Sequence, residues 1–152
     1  MNYPPQGRIL ALDLGSRRIG MALSDELRLT AQGLETMERT NIRSDLSLLS
    51  ALASERGVTM FLVGNPVNMN GTEGGRSAWA RQFAEKLTGR TGLPVRLWDE
   101  RFTTVAAERV LREGGVVGPK RKQAVDRLAA VILLESYLDS AESSGGEEGQ
   151  AG

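Results

Sequence analysis

The hydrophobic rhythm of the chain changes partway along. RILALDL (8–14) and RIGMAL (18–23) are short apolar runs joined through Gly15-Ser16-Arg17, and a turn at Ser24-Asp25-Glu26 leads to a third run around Leu27 to Thr36. Three such runs with short connections predict an antiparallel meander. From Asn41 to Arg56 the apolar positions Ile42, Leu46, Leu49 and Ala53 recur at helical spacing, closed by Gly57. VTMFLVG (58–64) is continuously apolar, the form of a strand buried on both faces. Asn70-Gly71-Thr72-Glu73 has the cap-x-x-Glu form that opens a helix, here running to Thr88. Leu93 to Trp98 predicts another strand, and Thr103/Thr104 begin a helix to about Arg112. Gly114-Gly115 breaks it, and a last helix from about Lys120 to Tyr137 contains the core-like LAAVILL.

The order β-β-β-α-β-α-β-α-α predicts an α/β fold with a mixed five-stranded sheet. Its first strand runs antiparallel to the second and parallel to the fourth and fifth, with helices on both faces. Residues 1–140 form one domain by length. Residues 141–152 (AESSGGEEGQAG), rich in Gly, Ser and Glu, are expected to be a disordered acidic tail.

Composition narrows the chemistry by subtraction. The chain has no cysteine and no histidine, which removes disulfides, zinc–thiolate sites, histidine bases and catalytic triads. Carboxylates, lysines or hydroxyls must carry any reaction, and a metal must be a hard cation on oxygen ligands, Mg²⁺ or Mn²⁺. The net charge of zero conceals an asymmetry, because the tail holds three glutamates and no cation. The remainder carries 19 basic against 16 acidic residues, which is compatible with a nucleic-acid partner. No apolar run approaches the roughly 18 residues of a membrane span. The opening MNYPPQGR lacks a signal-peptide core, so a cytoplasmic location is the expectation.

Parallel strands share a carboxyl-end rim, where ligands bind in open α/β sheets. The strand ends are Asp13, Gly64-Asn65-Pro66 and Asp99-Glu100-Arg101, and Asp126 lies early in the last helix behind the basic cluster Lys120-Arg121-Lys122. Several carboxylates on one rim repel one another unless a divalent cation neutralises them. A pair of ions roughly 3.5–4 Å apart, as in two-metal nucleases, suits such a set. Each element also has a plainer reading. Asp13-x-Gly can be a turn, Asp99-Glu100-Arg101 a local ion pair, and Asp126 an acid favoured in a helix's first turn. Arg17, Arg18 and Lys120 to Lys122 can be solvated charges. It is the convergence of the acids that favours a site.

Four blocks, ALDLGSRRIGMALSD (11–25), LVGNPVNMNGTEG (62–74), LPVRLWDERFTT (93–104) and KRKQAVDRLAAVILLESYLDS (120–140), resemble the YqgF/RuvX family in their expected order. That family is associated with Holliday-junction resolution and with maturation of the 5′ end of 16S rRNA. The resemblance implies an RNase H-like fold of the RuvC type, acting on structured RNA or branched DNA with two Mg²⁺ or Mn²⁺ ions, as monomer or homodimer. It assigns Asp13, Glu100 and Asp126 as catalytic metal ligands, with Asp13 between the ions. Arg17, Arg18, Arg101, Lys120, Arg121 and Lys122 would contact phosphates. The block ending Gly64-Asn65-Pro66 lacks the acid that related resolvases place there, so its neighbour strand must supply one. Adjacent strand residues face opposite ways, so Asp99 and Glu100 cannot both serve one ion, and Glu100 is preferred.

Two other classes share part of this pattern. Actin-like ATPases and sugar kinases also open with a strand, DxG and a hairpin, but need a second domain and a second phosphate loop. A non-catalytic nucleic-acid-binding module could keep the fold alone.

Overall fold

The computed structural model describes residues 7–101 and 119–151, with side chains described for 7–101 and 124–141. β1 (Arg8–Leu14), β2 (Arg18–Ser24) and β3 (Ala31–Glu38) form the meander. α1 (Ile42–Arg56), β4 (Val58–Asn65), α2 (Gly75–Thr91), β5 (Val95–Asp99) and α3 (Pro119–Ala151) follow. The five strands lie in the order β3-β2-β1-β4-β5. β1 is antiparallel to β2 and parallel to β4, which is in turn parallel to β5. This is the mixed sheet that the apolar pattern predicts. The helix expected from Thr103/Thr104 lies outside the described residues. Among the described residues no helix is long and apolar enough to cross a membrane.

The continuous apolar runs are explained by burial on both faces. Leu10, Leu12, Ile19, Met21, Phe61 and Val63 point to one face, where Leu49 of α1 and Phe83 and Leu87 of α2 pack on them. Ile9, Ala11, Ala22 and Leu62 point to the other, covered by Ala130, Leu133, Leu134 and Leu138 of α3. Small residues let α3 approach closely. A Cβ at Gly20 would run into the backbone carbonyl of Asp126, and one at Gly33 would meet the Arg127 side chain at 2.7 Å.

Three boundaries differ from the sequence expectation. The third strand begins at Ala31, not Leu27, because Asp25 Oδ1 accepts from the N–H groups of Leu29 and Thr30, each at 2.7 Å, and holds a turn in which Arg28 has φ 59°. α2 starts at Gly75 behind an N-cap glycine that has no side-chain bond. Glu73 does not close a capping box, since Asn65 Nδ2 and Arg81 engage its carboxylate at 3.1 and 2.7 Å. α3 runs to Ala151, past the end near Tyr137 that the apolar pattern predicts.

The close approach at Gly20 makes a prediction. Gly20→Ala forces α3 off β2 and lowers stability by about 1–3 kcal/mol through overpacking. Gly89→Ala, where a Cβ meets nothing within 4 Å, raises it by up to about 1 kcal/mol. Urea unfolding of the two variants checks the contrast, and equal effects would contradict this packing.

Candidate active site

Asp13 is the penultimate residue of β1 and pairs across the ladder with Gly20 of β2. Alternation along β1 puts it on the α3 face with Ile9 and Ala11. On β5 the same rule separates the two candidate acids. Trp98 packs on the α3 side, so Glu100 follows it there while Asp99 faces the opposite way. Gly64 makes room for this arrangement: a Cβ at that position would collide with Glu100 Oε2 and press on Leu133 at 3.3 Å. Glu100 N–H donates to the Asn65 carbonyl at 3.1 Å, which fixes the turn out of β5.

Asp13 and Glu100 therefore meet. Their carboxyl groups hydrogen-bond each other. Burial, with the nearby charge of Asp126, pushes the Asp13 carboxyl up to about 6. Burial, then the charge of Asp13, pushes Glu100 up to about 7. The Arg76 guanidinium at the start of α2 opposes both shifts. Asp126 reaches the same rim because α3 lies against Gly20, but its Oδ2 accepts from Arg18 Nε at 3.2 Å. Asp99 stands outside the cluster. Although desolvation works against it, Arg101 holds its carboxyl below the ordinary range, with contacts of 2.7–2.9 Å from Nη2, Nε and the backbone N–H.

The expected basic residues divide. Arg18 lies beside Asp126, Arg17 is exposed on the β1–β2 turn, and Arg101 also donates to the Met69 carbonyl at 3.3 Å. The side chains of Lys120, Arg121 and Lys122 lie outside the described residues. Two arginines escaped sequence reasoning. Arg76 sits in a glycine-rich helix entrance with no motif to mark it. Arg39 is remote in sequence but donates from its N–H to the Arg17 carbonyl at 2.8 Å and from Nη1 to the Gly15 carbonyl at 3.1 Å. Asp45, almost fully buried, holds the Arg39 guanidinium at 3.2 Å, and the rings of Trp79 and Phe83 face it at 5.1 and 5.6 Å.

Among the described residues no three acids are arranged to hold a metal ion. The donor set nonetheless fits a hard divalent cation. Two carboxyls, desolvated by burial and each raised further by a neighbouring acid, hold a proton above the ordinary carboxylate range, and a cation can replace that proton.

A five-stranded sheet of this order, with a carboxylate pair on the shared rim, defines a RuvC-type RNase H-like domain. The solved structure of Thermus thermophilus RuvC in complex with a Holliday junction substrate has the same fold at a TM-score of 0.53 and 16% identity, covering 83% of this chain and 91% of that one. The chain belongs to the family described as "RuvX: Holliday junction resolvase", which it matches over residues 7–140. A relative from Symbiobacterium thermophilum, named "Putative pre-16S rRNA nuclease", is 50% identical over 133 residues, 88% of this chain and 92% of its own. A relative of the same name from Geobacillus kaustophilus is 50% identical over 135 residues, 88% of this chain and 98% of its own.

The shifted acids carry a pH signature. Asp13 and Glu100 bind protons more tightly in the folded chain than at their ordinary values of 3.8 and 4.5. Their favourable contribution is whole below about pH 4 and is lost as pH rises through about 6 to 7. Cation-free Asp13→Asn therefore melts above the wild type at about pH 8, and the gap closes near about pH 4. Melting curves at the two pH values test this; a gap that widens in acid would refute the shifts.

Proposed function

We propose that this chain is a divalent-metal-dependent nuclease that processes the 5′ end of pre-16S rRNA. The observation that carries the reading is the Asp13–Glu100 pair, two desolvated carboxyls at one sheet rim, in a chain half identical to relatives of that name. Asp13 and Glu100 are the first ligands and Asp126 the third. A divalent cation bound there supplies a Lewis acid and a water of lowered pKa.

The chain's own residues bind and orient. β1 holds Asp13 rigidly at the sheet centre, so its carboxylate does not have to be reorganised when substrate arrives. Arg17 and Arg18 take backbone phosphates beside the cluster, and the family resemblance assigns the same role to Arg101, Lys120, Arg121 and Lys122. Such contacts supply affinity and register without reading bases. Arg76, at the start of α2, acts electrostatically on both carboxyls and offsets the negative charge that a phosphodiester brings to them.

The family's description favours a second reading, resolution of four-way DNA junctions. Symmetric resolution needs two active sites at once, whereas trimming an RNA end needs one, and all three candidate acids, Asp13, Glu100 and Asp126, come from one copy of this chain.

The test is a cleavage assay of the wild type beside Asp13→Asn, offered precursor rRNA and a four-way DNA junction in parallel, with Mg²⁺ or Mn²⁺ and with chelator. The wild type should cut the RNA only with metal. The isosteric variant should lose roughly 10³-fold or more, the scale of deleting an essential catalytic group. Cutting of the junction alone would replace the proposed substrate, and metal-dependent cutting by Asp13→Asn would overturn the site.

A further inference from the structure

Asp126 is the member of the acid set that a cation of the chain already engages. Arg18 and Asp126 border a recess of about 400 Å³ whose remaining lining is Gly15, Ser16 and Arg17. The recess sits on a stiff turn. Gly15 N–H donates to the Arg18 carbonyl at 2.8 Å, a Cβ at Gly15 would lie 2.6 Å from that same oxygen, and Arg39 ties down the carbonyls of Gly15 and Arg17. Two guanidinium groups are thus presented from a fixed backbone at the edge of the carboxylate cluster. One is exposed, and the other is bound through a single N–H to the acid that the cluster is missing.

We propose that this recess is a phosphate pocket, and that a nucleic-acid phosphate seated in it draws Arg18 off Asp126 and delivers the third carboxylate to the Asp13–Glu100 pair. The proposal rests on the carboxylate–cation reading above. A single, partly exposed guanidinium–carboxylate contact is weak, whereas a phosphate can accept two parallel N–H bonds from one guanidinium. The exchange therefore favours the phosphate when substrate is present. Asp126, whose charge already bears on Asp13, then completes the ligand set. Cation and nucleic acid become linked ligands, each raising the affinity of the other by the same factor. Without substrate the third acid stays paired, so the free chain binds its cation less tightly.

The experiment measures Mn²⁺ affinity by calorimetry for the wild type, Arg18→Gln and Arg17→Gln. Each is titrated alone, with sulfate as a phosphate mimic, and with a short oligoribonucleotide, correcting for Mn²⁺ taken up by the oligonucleotide itself. Wild-type affinity should rise about fivefold to tenfold with the oligonucleotide, within the usual range of coupling between sites. Arg18→Gln should bind Mn²⁺ that much more tightly from the outset and gain nothing further. Arg17→Gln, which removes a cation lining the recess but leaves the Arg18–Asp126 pair, should lose part of the rise that either anion gives. A rise with sulfate also supports the pocket and shows that one tetrahedral anion suffices; a rise with the oligonucleotide alone supports it as a site for backbone phosphate. Equal Mn²⁺ affinity of wild type and Arg18→Gln, unmoved by either anion, would overturn the exchange while leaving the carboxylate site standing. No Mn²⁺ binding by any of the three proteins would overturn both. Thermal melting of each variant confirms that the comparison is between folded proteins.

Discussion

Two carboxyl groups, Asp13 on β1 and Glu100 just past β5, meet above Gly64 of the strand between them, and most of the molecule is arranged so that they can. The parallel course of β1, β4 and β5 brings three strand ends to one rim. The absent side chain at Gly64 leaves space for Glu100 to reach across β4. Gly20 lets α3 lie against the sheet, which places Asp126 within electrostatic reach of Asp13. Burial alone would drive both acids toward neutrality. Their carboxyls hydrogen-bond each other, and the Arg76 guanidinium works against the rise of both.

The opposite edge of the cluster is organised around Arg39. Its pairing with buried Asp45, its place against Trp79 and Phe83, and its bonds to the Gly15 and Arg17 carbonyls tie α1, α2 and the β1–β2 turn into one unit. A buried ion pair adds little net stability against a well-packed apolar alternative. What this one adds is position, since the turn it fixes carries Arg17 and Arg18 to the rim.

Much of this was legible in the residues. Buried strands announce themselves by continuous apolar runs, so β1, β2 and β4 were placed to within a residue, and Asn41 and Gly57 bracketed α1. The rim and its acids followed from topology, and strand alternation separated Glu100 from Asp99. Local patterns misled where a side chain served a distant partner. Glu73 looked like a helix cap but answers Asn65 and Arg81, and Leu27 and Leu29 looked like strand but sit in a turn closed by Asp25. Arg39 and Arg76 carried no signal, because a single arginine in a loop or helix entrance is informative only once its neighbours in space are known. The Arg18–Asp126 pair spans 108 positions, and nothing local to either residue suggests it.

The central claim is that Asp13 and Glu100 hold a proton where a divalent cation binds. Proton release on cation binding tests it directly, read from calorimetric titration of Mg²⁺ in buffers of different ionisation enthalpy. At about pH 6.5 the wild type should release close to one proton per chain as the cation displaces it, falling toward zero at about pH 9. Asp13→Asn should release less, only the part that burial holds on Glu100. Cation binding without proton release across that range would contradict the shared proton and the site built on it.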